Sequence, residues 1–93
     1  MKITYSDHIM TRISLRGLEK DLPKRIFKDS GEHYTDTSTG HGIAVLNVEL
    51  HGRKRDVMVA YTSSGEHVKL LTIHPLKAGQ KDNRVSSGRW RRK

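Results

Sequence analysis

A chain of 93 residues allows one domain with a modest core and excludes a second catalytic domain. It contains no cysteine, which removes disulfides, thiol nucleophiles and thiolate metal sites and fits a reducing cytoplasm. The formal charge of +8, from 18 Lys and Arg against 10 Asp and Glu, points to a polyanionic partner, while the lack of any long apolar run argues against a signal peptide or a membrane span.

Lys2 to Tyr5 reads as a short strand or an extended lead-in. Ser6 suits the N-cap of a helix over Asp7 to Arg16, with Asp7 in its first turn, Arg16 in its last and Gly17 as a left-handed stop. Ile9, Met10 and Ile13 form its apolar seam. At about 100° per residue, His8, Arg12 and Arg16 fall at about 0°, 40° and 80°, beside Ile9 and Ile13 at about 100° and 140°. The three polar groups therefore line one edge of the buried face. Leu18, Leu22 and Ile26, with Phe27, predict a second short helix. Pro23 fits only a first turn, so Lys20 or Asp21 is the expected cap, and Asp29-Ser30-Gly31 ends the helix.

After Gly31 the hydrophobic period falls to two. Glu32 to Thr37 is strand-like, Ser38 to Gly42 is a turn, and Ile43 to Leu50 alternates, with Ala44, Leu46, Val48 and Leu50 on one face. His51 to Lys54 is a charged turn, Arg55 to Thr62 a third strand, Ser63 to Gly65 a turn, and His67 to His74 a fourth strand closed by Pro75. The expected fold is α+β: an N-terminal helical hairpin packed on a four-stranded antiparallel sheet, as a single domain over residues 1–75. Residues 76–93 are expected as a basic C-terminal arm with Trp90 as anchor. This arm holds seven cations against Asp82, whereas the other residues hold eleven cations and nine carboxylates. The body is nearly neutral and the arm carries the charge.

His8, Arg12 and Arg16 form the sharpest candidate site, because two guanidinium groups can clamp a phosphate while an imidazole moves a proton. The plainer alternative pairs Arg12 and Arg16 with sheet carboxylates such as Glu32, Asp36 or Asp56. His74 ends the last expected strand just before the arm, where it would face whatever phosphate the arm recruits, or stand as an ordinary edge-strand histidine. Arg53, Lys54 and Arg55 concentrate charge at a hairpin, either as a solvated turn or as part of a groove for a phosphate backbone. In the arm, Lys77, Lys81, Arg84, Arg89, Arg91 and Arg92 are phosphate-binding candidates, and Trp90 is either a stacking contact for an unpaired base or the anchor of the arm on its own domain. Histidine spacing matches no standard zinc pattern, and no phosphate-cradling glycine loop or nucleophile elbow is present. Neither a metal nor a cofactor is expected.

The opening from Ser6 to Leu18 resembles a family of small bacterial and phage proteins that begin Ser-x-His-x-x-x-Arg-x-x-x-Arg-Gly and close on Thr-x-x-Pro, as Thr72 to Pro75 does here. That family is similar to the RelE and BrnT toxins of toxin–antitoxin pairs. The resemblance implies a RelE-like fold and metal-independent RNA cleavage by 2′-hydroxyl attack, with ribosome-bound messenger RNA as a target and an acidic antitoxin as partner. It carries over His8, Arg12 and Arg16. It departs from the RelE pattern at the C-terminal end, where those toxins often use a tyrosine and this chain has none after Tyr61. The rival expectations are a non-catalytic nucleic-acid-binding module and a small phage or mobile-element protein that blocks an acidic host protein.

Overall fold

The computed structural model describes residues 1–93. Nine elements follow one another: β1 (Lys2–Tyr5), α1 (Asp7–Arg16), α2 (Leu22–Asp29), β2 (Glu32–Asp36), β3 (Gly42–Leu50), β4 (Arg53–Ser64), β5 (His67–Pro75), α3 (Gln80–Ser86) and β6 (Trp90–Arg92). The strands form one sheet in the order β1-β5-β4-β3-β2-β6. The β2 to β5 meander is antiparallel, as its short turns require, and β6 adds antiparallel to β2. Only β1 is parallel, pairing Lys2 to Tyr5 with His67 to Leu70 of β5.

This corrects the expected RelE-like arrangement of a helical hairpin on a four-stranded antiparallel sheet. The molecule is α+β with three helices and a six-stranded mixed sheet. Both extra strands are too short to show a period. β1 docks on the free edge of β5, with Ile3 and Tyr5 packed on the core, and β6 docks where Trp90 buries its indole.

The local signals read in α1 hold. Ser6 Oγ accepts from the Ile9 amide at 3.0 Å, and Gly17 sits at φ 62°, the left-handed conformation that glycine takes without cost. Ile9 and Ile13 are buried, but Met10 is exposed and leaves the seam narrower than expected. α2 starts after Asp21 with Pro23 in its first turn.

The sheet has two apolar faces because β3 and β4 alternate large apolar groups on both sides. On one face Ile9, Leu22 and Ile26 of the helices cover Ala44, Val48, Val57, Val59, Leu70 and Ile73. Tyr61 belongs to this layer, and a Cβ added at the opposite residue, Gly42, would run into its ring. The other face gathers Tyr34, Ile43, Val45, Met58, Ala60, Leu76 and Trp90, so residues 76–93 form its partial cover. Trp90 is 3 % exposed, and its ring lies 5.9 Å from that of Tyr34. Lys81 of α3 pairs with Glu32 at 3.1 Å, and Arg92 donates to the Gly31 carbonyl at 3.0 Å. The basic arm is thus folded back along β2 and its neighbours.

Candidate functional site

A cleft of about 480 Å³ opens on the sheet face that α1 and α2 leave free. Its floor is apolar, made by Ile43, Met58 and Ala60. Strand register fixes one wall, since Thr72 and His74 stand opposite Ala60 and Met58 and so point to the same face. Lys77, Gln80 and Arg84 come from the segment leading into α3 and from α3 itself. Arg89 and Trp90, with Asp36, Thr39 and His41, close the far side.

The placement of α1 explains the environment of His74. β1 pairs with β5 only as far as Leu70, and there the chain turns into the helix: the Ser6 amide donates to the Leu70 carbonyl at 2.9 Å and Ser6 Oγ to that of Leu71 at 2.7 Å. α1 therefore runs beside the half of β5 that lacks a strand neighbour on that side. Its cationic edge comes close enough to act on His74. Burial lowers the His74 pKa below the ordinary histidine value, and the charges of Arg12, Arg16 and His8 lower it further. Thr72 Oγ1 lies 3.4 Å from His74 Nε2, a weak hydrogen bond that orients the ring. The result is a neutral imidazole at pH 7 in a cationic cleft.

Across the cleft, Asp36 is 5 % exposed and organises the opposite wall. The Ser38 and Thr39 amides donate to its Oδ1 at 2.9 and 3.3 Å, and Arg89 Nε approaches the same oxygen at 3.4 Å. Burial pushes its carboxyl pKa up, but the Ser38 amide and Arg89 outweigh that, and the net position is below the usual carboxylate value. Asp36 stays ionised and holds Arg89 at the cleft. The buried Trp90 Nε1 has no hydrogen-bond partner of ordinary geometry, although the indole leans toward Asp36 and helps hold its pKa down.

The structure brings His74, Lys77, Arg84, Arg89 and Trp90 to one cleft, with His8, Arg12 and Arg16 acting on it from α1. Trp90 serves as the arm's anchor, since its buried indole packs against Tyr34. Arg12 and Arg16 make none of the ion pairs weighed for them. Glu32 is taken by Lys81 and Asp36 by Arg89, while Asn47 donates to Asp56 at 3.1 Å. Arg12 instead donates its Nε–H to His8 Nε2 at 3.3 Å, which leaves the His8 proton on Nδ1. Arg53, Lys54 and Arg55 lie apart, around a second hollow of about 320 Å³ that they share with Lys77. Arg91 and Arg92 lie on β6, outside the cleft lining.

Sequence reasoning missed Thr72, Gln80, Thr39 and His41 as cleft residues. Thr72 carried a usable signal, because a residue two positions before His74 on a strand shares its face. The others reach the cleft from a turn and from α3, where no period foretells direction. No three His, Asp or Glu side chains converge as a metal-binding set, and no helix is long and apolar enough to cross a membrane. No family model, curated protein or solved structure matches the chain.

Proposed function

We propose that this chain binds RNA in the cleft and cleaves it without a metal, the ribose 2′-hydroxyl attacking the adjacent phosphate. The observation that carries this reading is the convergence of a neutral, half-buried His74 with Lys77, Arg84 and Arg89 on an apolar floor. Phosphoryl transfer of this kind asks for a base, an acid and positive charge fixed where negative charge grows. His74 accepts the 2′-hydroxyl proton, which its lowered pKa favours at neutral pH. Arg84 and Arg89 receive the equatorial phosphate oxygens, Arg89 being held in place by Asp36. His8 is the candidate acid for the leaving 5′-oxygen in its imidazolium form, in which the hydrogen bond from Arg12 is released. One ring proton passes to the 5′-oxygen to leave the neutral ring, while Arg12 and Arg16 add charge on that side. The reaction ends in a 2′,3′-cyclic phosphate and a free 5′-hydroxyl, so atoms and protons balance without a co-reactant. The corresponding biological role is a cytoplasmic toxin acting on RNA, on or off the ribosome, restrained by an acidic partner protein.

The test is incubation of 5′-labelled single-stranded RNA with the purified protein in excess chelator, with and without ribosomes. Products ending in cyclic phosphate are expected, with the rate falling by about 100-fold or more in His74→Ala. Intact RNA in both settings overturns the catalytic reading; binding without cleavage would leave a nucleic-acid-binding module instead.

A further inference from the structure

The hollow beside the cleft is lined by Arg53, Lys54, Arg55 and Lys77, with Asp56 as its one carboxylate. Asn47 Nδ2 donates to Asp56 Oδ1 at 3.1 Å, so one of the two carboxylate oxygens is already engaged. The balance of four cations to one anion makes this a site for negative charge. Its position is informative. Leu76 and Lys77 line both the hollow and the cleft, so the two cavities lie side by side with Lys77 reaching each. Arg55 fixes the boundary between them, since its guanidinium donates to the Leu76 carbonyl at 3.4 Å while the Leu76 amide donates to the Asp56 carbonyl at 2.8 Å. On the next residue, the Lys77 amide donates to Gln80 Oε1 at 2.9 Å. The segment that separates the cavities is therefore tied to β4 on one side and to α3 on the other.

A single phosphate in the cleft has no use for cations in the hollow, whereas a chain of phosphates does. Arg53 and Lys54 are both exposed and take part in no ion pair, so their charge is free for a ligand. Two small cavities joined at Lys77 suit the flexible backbone of a single strand, whose successive phosphates can follow the turn from one to the other.

We infer that the hollow is a second phosphate subsite, continuous with the cleft through Lys77, and that the ligand is single-stranded RNA several nucleotides long. This rests on the RNA-binding reading of the cleft and adds the length and path of the strand. Lys77 holds the phosphate at the junction, and Arg53 and Lys54 hold the next one or two along the backbone.

Fluorescently labelled 2′-O-methyl oligouridylates of two and eight nucleotides, which resist 2′-hydroxyl attack, would serve as probes in anisotropy titrations from 0.05 to 0.3 M salt. The eight-mer is expected to bind more tightly than the dimer. The double variant Arg53→Ala, Lys54→Ala should weaken eight-mer binding roughly ten- to thirtyfold at 0.1 M salt and flatten its log–log salt slope by about 1.4, as for two lost phosphate contacts. Dimer binding should be unchanged. Both substitutions are at exposed positions, so the variant retains the fold. If the double variant binds the eight-mer as the native chain does, while Arg84→Ala still weakens it, the second subsite is refuted and the cleft reading stands. If the native chain binds neither probe, both fall.

Discussion

At the scale of single residues, His74 joins the two parts of the site that sequence spacing suggested separately. It stands on β5, within the influence of Arg12, Arg16 and His8, yet its side chain lines the cleft with Arg84 and Arg89. Burial and those cations both favour the neutral ring. Titration of the His74 ring followed by NMR should therefore show a midpoint below the ordinary 6.5, and Arg12→Ala should raise it. A midpoint unmoved by Arg12→Ala would mean that α1 does not act on this histidine. Asp36 and Arg89 illustrate the complementary case, a buried carboxylate whose amide donors keep it charged so that it can hold a guanidinium at the cleft. Neither role is visible in composition. The opening His-x-x-x-Arg-x-x-x-Arg pattern did mark the cationic edge of α1, because helix geometry places i, i+4 and i+8 along one edge irrespective of tertiary context, and that edge acts on His74 from outside the cleft lining.

At the scale of elements, α1 and the arm decide what the sheet can do. α1 could be read closely from sequence, from its Ser6 cap to its Gly17 stop, because these are local interactions within one or two turns. The arm could not. Residues 80–86 and 90–92 form a helix and a strand with no periodic signal, and their order comes from docking on β2. Trp90 carries most of that docking through its burial against Tyr34, supported by the Lys81–Glu32 pair. Trp90→Ala should cost about 3–5 kcal/mol in urea unfolding, a value expected for removing a buried indole. A loss below about 1 kcal/mol would show that β6 adds little to the fold. The same variant should loosen Arg89 and Arg84, so its RNA binding is expected to weaken together with its stability.

At the scale of the whole molecule, the net charge of +8 is divided in sequence but gathered in space. The arm folds back so that Lys77, Arg84 and Arg89 meet His74 over the sheet face that the N-terminal helices leave open. Two half-buried histidines tie stability to pH. His33 is lowered chiefly by burial, with Lys93 adding to this, and His74 by burial with Arg12, Arg16 and His8. The unfolded chain binds these protons more readily than the folded one, so stability is full above about pH 6.5 and is lost as pH falls through the lower folded values. The urea midpoint should therefore be lower at pH 5.5 than at pH 7.5, and equal midpoints would contradict the burial assigned to both rings. The sequence by itself determined the α+β class, α1 with its cap and stop, the β2 to β5 meander and the cationic edge of α1, because each rests on periodicity or on contacts a few residues apart. Tertiary structure alone decided the parallel pairing of β1 with β5, the addition of β6, the burial of Trp90 and the meeting of His74 with the arm's arginines. Those depend on which sheet edges are left unpaired and which face is left uncovered once the chain has closed, and no local pattern records either.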